Sequence, residues 1–196
     1  SEYKTAFPLN IIRINDKNIS RSRNIGASKA KGAYLFFIDA DNYIYPAFIE
    51  GVRKYVGNGY EMIIPAIKPD SKKYIYKITY GFVNILVSIS NTLNMPFSTG
   101  GNFVIKKDKF VKLKGFDETI FVGEDHDIVG KAHRHGVKIG FVTSPKVVFS
   151  ARRFEKEGFS VLAKYFVSTM YIALFGKITK KIYNYQMGGD YYQKKH

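Results

Sequence analysis

Ala33 to Ile38, AYLFFI, is a continuous apolar run that leads directly into Asp39-Ala40-Asp41. Six apolar residues without alternation describe a strand covered on both faces, as in a parallel sheet flanked by helices. Upstream, Leu9 to Ile14 (LNIIRI) is a second short apolar run rich in β-branched residues, which predicts a strand. Ser20 to Lys31 follows with helix-compatible composition ended by Gly32. Downstream, Pro46 opens a helix reaching Val56, and Tyr60 to Ile67 (YEMIIPAI) reads as another strand, whose Pro65 favours an edge or an end. This alternation predicts a doubly wound α/β sheet.

Tyr74 to Leu93 is apolar apart from Lys77, Gly81, Asn84, Ser88 and Asn91, which recur at three- and four-residue steps. That spacing predicts a helix with a narrow polar stripe and a broad surface that needs covering. Ser98 to Asn102 (STGGN) reads as a loop, Phe103 to Ile105 as a short strand and Lys107 to Leu113 as a short helix. Glu124 to His135 carries its acids first and its basic residues last, the order that the helix dipole favours. Val137 to Val148 holds one or two strands. Phe159 to Phe175 is nearly all apolar, with Ser160, Lys164 and Ser168 on one helical face. A membrane span needs about 20 predominantly apolar residues, so this segment predicts an amphipathic helix at an interface or packed on the core.

The chain has 196 residues, 45% hydrophobic and 24% charged, with 16 Phe and 15 Tyr. This is a globular composition with room for a real core, not a disordered one. Lys and Arg number 31 against 16 Asp and Glu, so the net charge is +15 and points to an anionic partner: nucleic acid, a phosphorylated substrate or anionic lipid. Cysteine is absent, which excludes disulfides, thiolate zinc sites and cysteine nucleophiles. The first residues, SEYKTAFPLN, are too polar for a signal peptide.

Five places carry candidate chemistry. Asp39 and Asp41, two apart at a strand end, project the same way and allow two carboxylates to converge on one divalent cation bridging to a diphosphate. The alternative is a pair of turn or helix-capping aspartates, against which stands their place at the carboxyl end of a buried strand, where open α/β sheets bind ligands. Ser20 to Gly26 (SRSRNIG) offers donors for phosphate or ribose oxygens, or else a solvated helix start. Gly100-Gly101-Asn102 lets backbone approach a ligand closely, or simply turns the chain. Glu124-Asp125-His126-Asp127 puts three carboxylates in one helical turn, as a general base or as dipole compensation. The spacing of His126, His133 and His135 fits no strong zinc motif. Arg152-Arg153 suits a leaving diphosphate, and equally a solvated or lipid-facing patch.

In order, SRSRNIGASKAKGAYLFFIDAD, STGGNFVIKKDKFVKLKGFDE, EDHDIVGKAHRHG and SARRFEKEG resemble the family 2 glycosyltransferases. The resemblance runs from about Leu9 to Gly158. It implies a GT-A-type (Rossmann-like) α/β fold with a mixed, mainly parallel sheet, as a domain over residues 1–150 followed by a basic, apolar helical extension over 151–196. The implied reaction moves a sugar, with inversion, from a nucleotide-diphosphate donor to a sugar or lipid-linked acceptor. By position, Arg23 and Asn24 look like the donor-side pair, Asp39 like the ribose or metal aspartate, and Asp41 like the metal ligand, the cation being Mg2+ or Mn2+. Gly100, Gly101 and Asn102 match the donor-sugar loop, Asp125 matches the catalytic base with Glu124 beside it, and Arg152 and Arg153 resemble the element that closes over the diphosphate.

Family members normally begin with a strand, a helix and a second strand that hold the nucleotide base, and nothing here corresponds to them. Phe149 stands where some relatives carry a metal-binding His. The expected location is cytoplasmic, peripheral at the inner membrane face, with Phe159 to Phe175 and Lys177, Lys180 and Lys181 on an anionic bilayer. Two rivals compete. A haloacid-dehalogenase-type phosphatase shares the strand-end Asp-X-Asp, but Tyr43 stands where that family usually has Thr or Val. A basic nucleic-acid-binding module would suit the charge, yet the aromatic residues sit mainly in apolar runs, so no nucleic-acid partner is expected.

Overall fold

The computed structural model describes residues 9–15 and 18–152, together with 155, 158, 160, 167, 171, 172, 178 and 179. The elements run α1 (Ile19–Lys29), β1 (Tyr34–Phe37), α2 (Phe48–Gly57), β2 (Met62–Pro69), α3 (Tyr74–Thr92), β3 (Phe103–Lys106), α4 (Lys107–Lys112), α5 (Glu124–Arg134) and β4 (Ile139–Phe149). The four strands form one sheet in the order β1-β3-β2-β4. β3 is antiparallel to both β1 and β2, while β2 and β4 are parallel. Three strands therefore share a direction and β3 runs against them, the mixed and mainly parallel sheet that the motif order implies.

The unbroken apolar strands are explained by helices on both faces. On one side Leu35, Phe37, Met62, Ile64, Phe103 and Ile105 pack against Ala27 of α1, Phe110 of α4 and Ile128, Val129 and Ala132 of α5. On the other, Ile63, Val104, Val142 and Val147 pack against Phe48 and Val52 of α2 and Tyr76 and Tyr80 of α3. Successive strand residues point to opposite layers, so β1 and the inner stretches of β2 and β3 carry apolar side chains at consecutive positions. Phe37 alone meets the rings of Phe103, Phe110 and Phe116 at centroid distances of 5.1–5.2 Å.

Three expectations are corrected. Leu9 to Ile14 forms no strand, and Leu9, Ile11 and Ile12 are exposed. A strand needs a neighbour to satisfy its backbone, and among the described residues the only strand laddered to β1 is β3. Pro65 lies in an inner strand, not at an edge. The β3 ladder stops at Ile63, the register toward β4 shifts between Pro65 and Ile67, and the Pro65 carbonyl accepts the Thr99 hydroxyl at 3.0 Å. A proline is tolerated where the ladder is interrupted in this way.

The third correction concerns α3, whose bounds agree with the sequence reading but whose broad apolar surface is not covered. Its polar stripe, Lys77 excepted, is the half-buried side, and its most apolar face is outward. The cause is Asn84. Its carboxamide accepts the Ile67 N–H at 2.9 Å and donates to the Ile67 carbonyl at 2.7 Å, as a neighbouring strand would. Asn84→Ala should orphan both groups of the buried Ile67 and lower stability by about 1–3 kcal/mol, read as an earlier urea midpoint. An unchanged midpoint would show that these bonds contribute nothing.

The expected extension over 151–196 lies mostly outside the described residues, including most of Phe159 to Phe175. The chain does return to the body at Ile178, which is buried and whose carbonyl accepts the Phe121 N–H at 2.8 Å.

Candidate active site

The site forms where the antiparallel direction of β3 places its leading loop beside the trailing end of β1. Phe37 pairs with Phe103, so Gly100, Gly101 and Asn102 meet the turn that begins at Asp39. Asn102 is fully buried, and its Oδ1 accepts the Asp39 N–H at 3.3 Å and the Asn42 amide at 3.2 Å, while its Nδ2 donates to the Gly100 carbonyl at 2.7 Å. Asn42 in turn accepts the Ser150 N–H at 3.2 Å. One buried amide pair thus ties the aspartate turn, the glycine loop and the end of β4 together.

Arg23, from α1, lies at the centre. Its Nη2 is 2.7 Å from Asp39 Oδ1 and its Nη1 is 2.7 Å from Glu124 Oε1. This two-pronged geometry needs the planar guanidinium fork. Burial works against the charge on Arg23, but Asp39, Glu124 and Asp125 outweigh it and hold the group more firmly protonated than usual. Gly101 has a φ of +34°, and a side-chain carbon there would collide with Arg23 Nη2 and stand 3.1 Å from Asp39 Oδ2. Only glycine leaves the backbone this close to the ion pair.

Asp125 is 7% exposed and its Oδ2 accepts the Gly101 N–H at 3.1 Å. Burial alone would raise its pKa, but His126, Arg23 and the hydrogen bonds from Gly101 and Ser98 leave it below the usual aspartate value. Glu124 goes the other way: burial and then the charge of Asp125 raise it, only partly offset by Arg23. Two adjacent carboxyl groups with opposite shifts form an ionised base beside a more readily protonated neighbour.

Asp41 stands at the rim, 3.8 Å from Arg152 Nη2, and Arg152 Nε donates to Ser150 Oγ at 3.0 Å. The expected companion Arg153 lies outside the described residues. The structure brings Arg23, Asp39, Gly101, Asn102, Glu124 and Asp125 together, with Asp41 and Arg152 beside them. Asn24 it directs elsewhere: its amide donates to the Phe116 carbonyl at 3.0 Å and to Glu118 Oε1 at 2.9 Å, and its oxygen accepts the Phe116 N–H at 2.9 Å. Asp127 pairs with Lys131 at 2.9 Å. His126 accepts the Ser98 N–H at 3.4 Å and packs edge-on against Phe97, while His135 contacts the Lys131 carbonyl at 2.9 Å.

Asn42 and Ser98 were missed by the sequence reading. For Asn42 the signal was its place directly after Asp41, where a side-chain amide can close a turn. Ser98 gave no signal beyond its place in a small-residue loop.

Among the described residues no group of three or more His, Cys, Asp or Glu side chains is arranged to hold a metal ion. Asp39, engaged by Arg23, and Asp41, facing Arg152, are the carboxylates at this end of the cleft, and a hard cation there would need phosphate and water ligands of its own.

Residues 15–196 match the family described as Glycosyltransferase like family 2. The chain belongs to this family. Over 158 residues this glycosyltransferase-like chain is 24% identical to the minor teichoic acid biosynthesis protein GgaB of Bacillus subtilis (strain 168), covering 77% of the chain and 17% of GgaB. It superposes on the crystal structure of S. aureus TarS 1-349 with a TM-score of 0.53 and 13% identity, over 78% of this chain and 46% of that one. The same protein in complex with UDP-GlcNAc gives a TM-score of 0.53 and 12% identity, over 71% and 40%. These likenesses confirm the α/β fold, and the chain spans less than half the length of either relative.

Proposed function

We propose that this family 2 domain transfers a sugar from a nucleotide-diphosphate donor to an acceptor hydroxyl, with inversion. The observation that carries it is the Gly101 N–H holding Asp125 next to the Arg23–Asp39 pair, which puts a base and a leaving-group site beside one glycine loop. In this reading Asp125 accepts the hydroxyl proton, the acceptor oxygen bonds to the anomeric carbon, and the diphosphate departs with the bonding electrons of the broken C–O bond. Gly100 and Gly101 line the donor sugar, with the buried Asn102 fixing their loop from behind, Arg152 meets the diphosphate at the rim, and Asp41 with Asp39 would hold the cation. When bound, Mg2+ or Mn2+ neutralises charge on the departing diphosphate. Four carboxylates against two guanidinium groups make the cleft itself repel an unaccompanied anion.

Asp39 is clamped by Arg23, which disfavours the phosphatase reading in which it would be a free nucleophile. Phe37, Phe48, Phe103, Phe110 and Phe116 are buried in the core, which disfavours aromatic stacking on nucleic acid. The TarS complex suggests the first probe, UDP-GlcNAc. Calorimetric titration of the protein with UDP- and GDP-sugars should show binding that strengthens when MnCl2 is added. Salt-sensitive binding to RNA together with indifference to every nucleotide-sugar would refute the proposal. We place the protein at the cytoplasmic face of a membrane, with a lipid-linked acceptor and with residues 159–175 as one contact.

A further inference from the structure

The outward face of α3 is apolar along its length. Ile75, Ile78, Phe82, Ile85, Ile89 and Leu93 are 45–66% exposed and recur at three- and four-residue steps. They form one stripe on a helix of 19 residues, about 28 Å long at 1.5 Å per residue. Single exposed apolar side chains are ordinary, whereas a contiguous stripe marks a contact surface.

We infer that this stripe is the face by which the protein lies on an anionic bilayer, an inference that rests on the membrane-facing reading above and names the surface involved. Charge selects the occupant. No Asp or Glu occurs from Ser71 to Lys107, while Lys72, Lys73 and Lys77 are exposed around the start of the helix. An apolar face with lysines beside it and no acid within its own helix is the pattern of an interfacial helix. A partner helix suits it less well. The positions flanking the stripe, Thr79, Gly81, Leu86 and Ser88, are uncharged, so the ion pairs that set register between coiled helices are missing. Among the described residues no helix is long and apolar enough to cross a membrane, so the contact made by α3 is with the surface. The chain leaving α3 enters the Ser98–Asn102 loop that holds Asp125, which brings the cleft within one loop of a lipid-borne hydroxyl.

The test is flotation of the whole protein with vesicles of phosphatidylglycerol and phosphatidylcholine, and with phosphatidylcholine alone, at low and high salt. The parent protein should float with the anionic vesicles at low salt. The triple variant Ile78→Glu, Phe82→Glu, Ile89→Glu should lose tenfold or more of that partition, with its melting temperature and nucleotide-sugar binding unchanged. Flotation of the triple variant at the parent level overturns the inference, and the double variant Phe166→Glu, Met170→Glu then shows whether residues 159–175 act instead. A large shift in the triple variant's melting temperature, or a parent dimer that it converts to monomer, also overturns it, because the stripe would then be covered by protein. If the parent fails to float at all the membrane contact is wrong, while calorimetry with nucleotide-sugars judges the transferase reading separately.

Discussion

Asp125→Asn should leave the fold and donor binding intact while lowering the rate of sugar transfer by about 10²–10⁴-fold, the usual value of general-base assistance. The asparagine keeps the size of the aspartate and can still accept the Gly101 N–H, so the loss isolates the proton transfer. A rate in the variant equal to that of the parent would move the base elsewhere, with Glu124 next to be tested. The pH profile carries a second signature. The folded pKa of Asp125 is depressed, so the group stays ionised as pH falls until that depressed value is reached. The acidic limb of kcat/KM that belongs to it should therefore lie below the ordinary aspartate value of 3.8. Its contribution to stability has the same sign, present above the unfolded value and lost as pH falls through the folded one. Replacing Asp125 also removes a charge that raises Glu124, so the titration of Glu124, followed by carboxyl NMR, should move down in the variant.

Arg23→Leu is the second substitution with a large expected effect. It removes the cation shared by Asp39, Glu124 and Asp125 and leaves carboxylates uncompensated in a mostly buried site. Breaking a buried pair from one side typically costs about 3–5 kcal/mol, and the partial exposure of Asp39 places this case at the lower end. Arg23→Lys should recover part of the stability and little of the donor binding, because an ammonium group cannot reach two carboxylates in a fixed fork. Thermal melting and nucleotide-sugar titration of both variants check this. A melting temperature unchanged in Arg23→Leu would mean that the carboxyl groups simply take up protons.

Much of the architecture was legible because it depends on local pattern. The unbroken run before Asp39 needs apolar residues at every position only if both faces are covered, and both are. The bounds of α3 and α5 follow from helical spacing and from acids placed before bases. The order of four motifs pointed to the family that the whole-chain match then showed.

What the sequence by itself determined was therefore which segments form helices and strands, and which polar residues stand at their ends. The Leu9–Ile14 run shows the limit of this: its composition suits a strand, but a strand exists only where another chain segment completes its hydrogen bonds. The tertiary structure decided direction and facing. It ran β3 against its neighbours, so that Gly101 meets an arginine 78 residues earlier and Glu124 meets the same arginine across 101 residues. It turned Asn24 toward Phe116 and left Arg23 alone at the centre. It also set the polar side of α3 inward, where Tyr76, Tyr80 and Val87 join the core and the two bonds from Asn84 satisfy a buried backbone that no apolar side chain could satisfy. Periodicity shows that a helix has two unlike faces; which one is buried depends on the hydrogen bonds that distant backbone still lacks.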